Sequence, residues 1–280
     1  MRPLLVIDGD SFAHRAYHAL PKSIRRADRR PAGALVGFAN MLIRLWEAEQ
    51  PRTVLVAWDT LEVPTYRHES FDAYQSGREF DAELLEQLAL LPELVASFGF
   101  AVAKGAGYEA DDFLAAAADA ETARGGQALV ATSDRDAFQL ASSTVTILQP
   151  TRGVSEIARI GPPEVRERYG VEPEQVPDFI ALRGDPSDKL PGARGVGPKT
   201  AAQILTEYGS LENALTAGRF SAEADALRLY RQIAQLDHSA PLPPMEDAQP
   251  DWAGAAKRAS DWGLGALAGR LEERERESTS

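Results

Sequence analysis

The chain of 280 residues lacks cysteine altogether, and none of its hydrophobic runs approaches the length needed to span a membrane. The missing cysteines exclude disulfide bridges and zinc bound by thiolates. The N-terminal segment reaches an acidic residue, Asp8, after a short apolar run, which is too short for a signal peptide. We therefore expect a cytoplasmic, soluble protein with no membrane partner.

The charge balance is acidic, with a formal net charge of −12. Such a balance is unusual for a protein that binds nucleic acid, because phosphates attract basic surfaces. Two basic clusters are nevertheless present, namely Arg25, Arg26, Arg29 and Arg30 in one, and Arg194 with Lys199 in the other. If divalent cations neutralise some of the acids, the distribution of charge matters more than its total.

Apolar runs of strand length alternate with segments of helical periodicity in the first part of the chain. Strands are predicted at residues 4–8, 53–58, 100–103, 128–132 and 145–148, and helices at 32–48, 83–98 and 109–123. This alternation predicts an α/β fold with a mostly parallel central sheet flanked by helices.

From about residue 161 onward no further strand is predicted. Helices are expected near residues 162–169, 174–183, 198–207, 210–216 and 222–235, with a last helical segment over 251–275. We therefore predict an α/β core over 1–172, a helical region over 173–240, and a helical extension with a tail over 241–280.

Acidic residues follow several of the predicted strands. They are Asp8 and Asp59, then Glu109, Asp111 and Asp112, then Asp134 and Asp136, and a last group, Asp185 and Asp188, follows a predicted helix. Each acid alone could simply cap a helix. The carboxyl ends of parallel strands, however, converge on one crevice, where so many like charges require a divalent cation. Oxygen ligands suit Mg²⁺ or Mn²⁺, so the pattern predicts a two-metal site for phosphodiester chemistry.

A glycine-rich turn precedes the helix predicted near residue 198. Gly195, Val196 and Gly197 offer backbone N–H groups, Pro198 suits the first helical position, and Arg194, Lys199 and Thr200 flank the turn. This arrangement is typical of a phosphate-binding helix N-terminus, although a plain helical hairpin is an alternative. The spacing of a nucleotide-binding P-loop is absent, and no strand is predicted before the turn, which argues against that type of site.

The segment over residues 60–82, called the arch segment below, is polar, aromatic and long for a connection inside a compact domain. It places Arg67, Tyr74, Gln75 and Arg78 close together in sequence. Cations interleaved with aromatic rings are typical of surfaces that bind single-stranded nucleic acid. An ordinary surface loop is the competing interpretation.

Taken together, these motifs resemble the 5′-nuclease superfamily, in particular the N-terminal 5′-3′ exonuclease domain of bacterial DNA polymerase I and the stand-alone bacterial flap endonucleases. The matching elements follow the family's order over about residues 4–240. They are Val6–Gly9, Val56–Asp59, Arg67–Glu69, Gly107–Asp112, Thr132–Asp136, Gly184–Gly192 and Gly195–Thr200. No polymerase domain follows in the sequence, so we expect a nuclease that stands alone.

The resemblance implies a PIN-like core, a helical arch at about residues 60–82, and a helix-three-turn-helix over about 187–207. It assigns a first metal to Asp8, Asp59, Glu109 and Asp111, and a second to Asp134, Asp136 and Asp185 with Asp111 shared. Asp112 and Asp188 would support the site or ligate through water. It also implies a monovalent cation, K⁺, at the turn of residues 195–197, and DNA contacts from Arg67, Tyr74, Gln75, Arg78, Arg194, Gly195, Val196, Gly197, Lys199 and Thr200.

Two residues depart from the family's pattern. Gln75 stands where the arch usually has a lysine that helps to place the scissile phosphate, so Arg78 or Arg67 would have to supply the cation. Arg29 stands where a glycine usually precedes the helix begun at Pro31. The first departure bears on the rate of turnover, and the second on the entrance near the basic cluster.

The implied activity is hydrolysis of DNA near a junction between a 5′ single strand and duplex, leaving a 5′-phosphate and a 3′-hydroxyl. The implied setting is a monomer associated with the nucleoid and linked in function to DNA polymerase and ligase. One alternative is a haloacid-dehalogenase-like phosphatase, because Asp8-Gly9-Asp10-Ser11 resembles its nucleophile motif. Another is a protein that binds 5′ flaps but cleaves weakly. On the nuclease interpretation, Asp10→Asn should have only a mild effect.

Overall fold

The computed structural model describes residues 2–61, 63–77, 80–152 and 156–279. Within these residues a single six-stranded sheet has the strand order β3-β2-β1-β4-β5-β6. The first five strands run parallel, and β6 pairs antiparallel with β5. The strands are β1 (Leu4–Asp8), β2 (Thr53–Ala57), β3 (Ala101–Ala103), β4 (Ala128–Ala131), β5 (Val145–Arg152) and β6 (Glu156–Ile160).

Twelve α-helices accompany the sheet in the described part of the chain. They are α1 (Gly9–Ala19), α2 (Gly33–Glu49), α3 (Tyr66–Ser70), α4 (Ala82–Ser97), α5 (Ala110–Ala123), α6 (Pro162–Tyr169), α7 (Val176–Arg183), α8 (Pro198–Tyr208), α9 (Leu211–Thr216), α10 (Ala224–Ala234), α11 (Trp252–Asp261) and α12 (Gly265–Ser278). Short 3₁₀ turns cover Asp136–Leu140 and Pro173–Gln175.

The sheet separates two hydrophobic cores because successive side chains of a strand point to opposite faces. In β1, Leu4 and Val6 enter one core, which α5 to α10 cover. Leu5 and Ile7 enter the other, which α1, α2, α4, α11 and α12 cover. All five residues of β1 are buried, as expected for the central strand of a parallel sheet covered on both faces. The predicted α/β class is therefore confirmed.

Most of the predicted elements occur where the sequence placed them, with three differences. The helix α1 and the strand β6 were not predicted. The last helical segment is two helices, because the chain turns at Gly263 with a φ of 73° before α12 begins. Glycine adopts this left-handed conformation without strain. The apolar periodicity continues through residues 251–275, so it did not reveal the break between the two helices.

The chain after α10 returns across the molecule as an extended strap over residues 241–250, and Arg52 fixes it. The Arg52 guanidinium lies 2.6 Å from Glu121 and donates to the carbonyl of Met245 at 2.7 Å. Ala248 donates its backbone N–H to the carbonyl of Arg52. The strap delivers α11 and α12 to the second core. In the described residues no helix is both long and apolar enough to cross a membrane.

The described part of the arch segment contains one short helix, α3, followed by turns, and no long helix. Two aromatic residues attach the arch segment to the rest of the molecule: Tyr74 is part of the first core, and Phe71 packs against it. Arg78, one of the predicted DNA-binding and catalytic residues, lies outside the described residues.

Candidate active site

A cavity of about 480 Å³ lies at the carboxyl ends of the central strands. We call it the acidic cavity, because eight carboxylates line it: Asp8, Asp10, Asp59, Glu109, Asp111, Asp134, Asp136 and Asp188. Seven of these were predicted from the sequence. The structure thus brings together acids from segments that are far apart in the chain, at the crevice where ligands bind in open α/β sheets.

The strand register explains why the acids converge. Asp8 ends β1 and pairs with Ala57 of β2, while the preceding Ile7 pairs with Ala131 of β4. Asp59 follows β2 by two residues, and Asp134 follows β4 by three. The three acids therefore leave adjacent strands at the same edge of the sheet.

Asp8 both caps a helix and lines the cavity. Its carboxylate accepts hydrogen bonds from the backbone N–H of Ser11, in the first turn of α1, at 2.9 Å and from the hydroxyl of Thr132 at 2.7 Å. Burial raises the pKa of Asp8 to about 7, helped by the negative charges of Asp59 and Asp134. Asp8 is therefore both a helix cap and a residue of the cavity, so the capping interpretation and the functional interpretation of this acid are compatible.

Asp10 and Asp59 connect α1 to α5. The Asp10 carboxylate accepts the backbone N–H of Asp59 at 2.8 Å, and the Asp59 carboxylate accepts the backbone N–H of Ala110 at 2.8 Å. Burial and the charge of Asp59 raise the pKa of Asp10 well above its ordinary value. Asp10 was not among the predicted site residues, although its position two residues after Asp8, in the first turn of a helix, was a usable signal.

Glu109 caps α5 and is held by the arch segment. Its carboxylate accepts hydrogen bonds from the hydroxyls of Thr65 and Tyr74, each at 2.9 Å, and from Arg67 at 3.2 Å. Burial raises the pKa of Glu109 to about 7, while Arg67 opposes that rise. The acid is therefore directed by residues of another segment, which the sequence alone did not show.

Asp111, Asp134 and Asp136 also line the acidic cavity. Oxygen Oδ1 of Asp111 is buried and has no hydrogen-bond partner among the residues that the structure describes. Burial raises the pKa of Asp111 and of Asp136 well above the ordinary value, and in both cases the charge of Asp134 adds to the effect. The strand β4 ends at Ala131, so Asp134 and Asp136 reach the cavity from a turn and not from an extended strand.

Asp185 and Asp188 follow α7 in a tight loop. Asp185 is buried and does not line the cavity. It accepts from the backbone and hydroxyl of Ser187 and pairs with Arg183 at 3.1 Å. Asp188 does line the cavity and accepts a hydrogen bond from the side-chain amide of Gln75 at 3.1 Å. In this structure Asp185 therefore orders the loop that carries Asp188.

Two of the predicted DNA contacts are buried. Arg67 is 2% exposed and Tyr74 is 4% exposed, and both point at acids of helix α5 and its cap. Stacking on a base or reaching a phosphate requires exposed groups, so their placement favours a role in holding the site over the predicted contact with DNA. The interleaving of cations and aromatics fits an ordered, packed loop equally well, so the pattern by itself does not distinguish the two roles.

The glycine-rich turn is placed as its motif suggests. Arg194, Gly195, Gly197, Lys199 and Thr200 are exposed, Val196 is half-buried, and α8 begins at Pro198. Gly197 caps this helix without a side-chain hydrogen bond, so the first turn keeps backbone N–H groups available to an anion.

The residues present fit hard divalent cations in their chemistry. The donors are carboxylate oxygens, one of them buried without a hydrogen-bond partner among the described residues. Burial, and after it the neighbouring negative charges, raises the pKa of Asp8 and Asp111, which is the setting in which a bound cation would favour the ionised carboxylates. In the described residues no three acidic or histidine side chains are arranged closely enough to hold an ion as they stand. Hydrogen bonds to Thr132, Ala110, Thr65 and Tyr74 direct several of the carboxylates instead, so ligation would require these side chains to turn.

The fold and the acidic cavity together define a nuclease-type hydrolase. The family model described as "5′-3′ exonuclease, N-terminal resolvase-like domain" matches residues 3–170, and the model described as "5′-3′ exonuclease, C-terminal SAM fold" matches residues 171–253. The chain belongs to the 5′-3′ exonuclease family. The family predicted from the sequence is therefore confirmed, and the phosphatase alternative is excluded.

Curated relatives agree with this membership. DNA polymerase I of Mycobacterium leprae is 44% identical over 211 residues, which are 75% of this chain and 23% of the polymerase. The thermostable DNA polymerase I of Thermus thermophilus is 38% identical over 250 residues, which are 85% of this chain and 29% of the polymerase. The chain thus spans about a quarter of the length of these relatives.

Solved structures share the fold over nearly the whole chain. The bacteriophage T5 D15 protein, co-crystallized with metal ions, has a TM-score of 0.70 at 18% identity, covering 97% of this chain and 99% of that one. The catalytic core of Rad2 in complex with a DNA substrate has a TM-score of 0.62 at 16% identity, covering 97% and 90%. At these identities the likeness concerns the fold alone.

Proposed function

We propose that the protein is a structure-specific 5′ nuclease that hydrolyses DNA phosphodiesters near junctions between a 5′ single strand and duplex. The observation that carries the proposal is the acidic cavity itself, in which carboxylates from three adjacent strand ends and from the first turn of α5 face one space. Membership of the 5′-3′ exonuclease family supports the same reaction class.

The chain's own residues would act by binding and orienting. Asp8, Asp59, Glu109 and Asp111 would hold one divalent cation, and Asp134, Asp136 and Asp185 a second, with Asp111 shared and with Asp112 and Asp188 in support. Asp185 would first have to turn from Ser187 and Arg183 toward the cavity. When bound, Mg²⁺ or Mn²⁺ would lower the pKa of water for attack on phosphorus and stabilise the leaving 3′ oxygen. The products would be a 5′-phosphate and a 3′-hydroxyl. The T5 D15 protein co-crystallized with metal ions, and a T5 5′-exonuclease structure described as holding divalent metal ions (zinc), support a divalent cofactor in general terms.

Duplex DNA would bind at the exposed turn of residues 195–197. The free N–H groups of the first turn of α8, together with Arg194, Lys199 and Thr200, suit phosphate oxygens and carry no base specificity. A monovalent cation such as K⁺ at the carbonyls of this turn would strengthen the contact. Gln75, at the rim of the acidic cavity, and Arg78 would approach the single strand.

The proposed setting is a monomer that acts on cellular DNA in the cytoplasm, near the nucleoid, in steps shared with a polymerase and a ligase. The polymerase relatives support that link, because the matched segment is part of a DNA polymerase I in each. The helical region over 173–240 and the extension over 241–280 remain proposed as separate units of the chain.

The test compares wild type with Asp134→Asn on a 5′-labelled flap, a nicked duplex and a single strand, each in Mg²⁺ and in Mn²⁺. Wild type should cleave the flap near its junction, and the variant should lose at least about 100-fold in rate, since one cation position loses a charged ligand. Asp261→Asn, an exposed acid of α11 far along the chain from the cavity residues, is the matched control. Cleavage by Asp134→Asn at the wild-type rate would overturn the site assignment.

The second candidate function is a flap-binding protein with weak catalysis, favoured only by the presence of Gln75 where the family has a lysine. Binding of the flap without cleavage in either metal would support it. The same set of substrates therefore separates the two candidates.

A further inference from the structure

Arg67 occupies an unusual position for a residue of the arch segment. The residue is 2% exposed, and its guanidinium makes a two-pronged pair with Asp112, at 2.7 and 3.0 Å. The same guanidinium donates to Glu109 at 3.2 Å and to the backbone carbonyls of Ile233 and Gln235 at 3.0 and 3.3 Å. A guanidinium has five N–H groups, so this set of partners leaves little capacity for a phosphate.

Asp112 is the partner on which this network depends. It is completely buried, and it accepts two hydrogen bonds from Arg67, one from the backbone N–H of Glu109 at 3.0 Å and one from that of Asp237 at 2.9 Å. Four hydrogen bonds match the usual capacity of a carboxylate. Asp112 therefore has no free lone pair to reach a cation directly, and it does not line the acidic cavity.

The pair joins three segments that are distant in the sequence. Arg67 belongs to α3 of the arch segment, Asp112 and the cap Glu109 belong to α5, and Ile233, Gln235 and Asp237 belong to the end of α10 and the residues after it. Of these residues, Glu109, Arg67 and Ile233 line the acidic cavity. The orientation of Glu109 is thus linked to the docking of both the arch segment and the helical region.

We propose that Arg67 is a positioning residue that sets the orientation of Glu109 through the buried pair with Asp112 and makes no contact with DNA. The inference rests on the proposed nuclease function. Removing Arg67 leaves the Asp112 charge buried without its cation and frees Glu109 to turn, so metal affinity and the chemical step suffer while the DNA-binding surface is unchanged.

The main variant is Arg67→Met, and the matched control is Arg52→Met. Arg52 is also buried, 4% exposed, and its pair with Glu121 lies among residues that do not line the acidic cavity. Both variants lose one buried guanidinium–carboxylate pair, so both should lose thermal stability. Below their melting temperatures, only Arg67→Met should weaken Mn²⁺ binding, about 10-fold or more, measured by titration calorimetry without DNA.

Kinetics and salt dependence then separate positioning from DNA contact. For Arg67→Met, kcat on the 5′ flap should fall about 10-fold or more with KM within about twofold of wild type. The slope of log Kd against log salt for flap binding in EDTA should stay at the wild-type value. A slope reduced by about 0.7–0.9, with KM raised and kcat unchanged, would mean that Arg67 contacts a phosphate, and the proposal would be wrong.

Two further variants and the metal affinities allow for a failure of folding or of activity. If Arg67→Met does not fold, Arg67→Lys and Asp112→Asn take its place. Arg67→Lys keeps the charge but loses the two-pronged geometry, so it should recover stability more fully than kcat. If wild type cleaves no DNA, the proposed function fails, whereas the Mn²⁺ affinities of wild type, Arg67→Met and Arg52→Met still report on the positioning role.

Discussion

The Asp10 carboxylate accepts a hydrogen bond from the backbone N–H of Asp59 at 2.8 Å, where the neighbouring strands β1 and β2 end. Because Asp59 in turn accepts the backbone N–H of Ala110, Asp10 links the first turn of α1 to the start of α5. A carboxamide can accept the same hydrogen bond, so Asp10→Asn should keep kcat within about fivefold of wild type. Asp10→Ala leaves the Asp59 N–H unsatisfied and should cost about 1–3 kcal/mol of unfolding free energy.

The measurement for Asp10 is flap cleavage together with urea unfolding for wild type, Asp10→Asn and Asp10→Ala. Asp28→Ala, an exposed acid of the basic cluster, is the control for loss of a surface carboxylate. If Asp10→Asn is as inactive as Asp134→Asn, the Asp10 charge itself is required, and its role is more than that of a hydrogen-bond acceptor.

Stability of the metal-free protein should depend on pH through the acidic cavity. The pKa values of Asp8 and Glu109 rise from 3.8 and 4.5 to about 7 in the folded state. Between about pH 4 and 7 the folded state therefore binds more protons than the unfolded state, so these groups lower the unfolding free energy as pH rises through that window. By pH 8 their contribution is unfavourable, on the order of a few kcal/mol.

Comparison of Glu109→Gln with wild type isolates this effect from other titrations. In EDTA, the unfolding free energy of the variant relative to wild type should increase from pH 5 to pH 8, as measured by urea denaturation. Because a cation binds the deprotonated carboxylates, stabilisation of wild type by Mn²⁺ should grow over the same range. A difference between variant and wild type that does not change with pH would show that Glu109 is already ionised at pH 5.

The central sheet and its acidic edge could be predicted because they follow from local rules. Each strand of the parallel sheet is a short apolar run, and an acid at its carboxyl end must lie at the same edge as the others. The sequence alone therefore places Asp8, Asp59 and Asp134 at one crevice. The strand β6 escaped because it lies at the sheet edge with mostly exposed side chains, Glu156 and Arg159 among them, and lacks an apolar run.

The partners of each acid could not be predicted, because they come from segments that meet only in the folded chain. Nothing local distinguishes Asp112, which is fully buried against Arg67, from Asp111 beside it, which lines the acidic cavity. Likewise, Tyr74 and Arg67 have the composition of a surface that binds nucleic acid, and only packing against α5 and α10 shows that they are buried. Motif spacing identifies which residue types are present, whereas tertiary contacts decide what each side chain does.

Gly9 permits a close approach between α1 and the end of β2. A Cβ atom at residue 9 would lie 2.6 Å from the ring of Trp58, which is itself buried. Gly9→Ala should therefore cost about 1–3 kcal/mol of unfolding free energy, since the indole has to move. Trp58 precedes Asp59, so the same substitution should also weaken Mn²⁺ binding.

The control for Gly9 is Gly269→Ala in α12, where an added Cβ meets nothing within 4 Å. That substitution should stabilise the protein by about 0.5–1 kcal/mol, because alanine favours a helix interior more than glycine does. Urea unfolding and Mn²⁺ calorimetry on both variants test the pair. Equal effects of the two substitutions would mean that Trp58 accommodates the methyl group without displacement.

Arg29 adopts a left-handed backbone conformation, with a φ of 68°, at the position where the family usually has glycine. Its N–H donates to the carbonyl of Arg26, and its own carbonyl accepts from the Arg25 side chain, so the turn is fixed by hydrogen bonds on both sides. A residue with a Cβ pays about 1 kcal/mol there, which glycine avoids. Arg29→Gly should raise the unfolding free energy by about 0.5 kcal/mol, after allowing for the greater freedom of glycine in the unfolded chain.

Arg25→Gly, at a residue of the same loop whose φ is not positive, should instead destabilise. Urea unfolding of both variants is the measurement, and destabilisation by Arg29→Gly would show that the side chain contributes more to this loop than its strain removes.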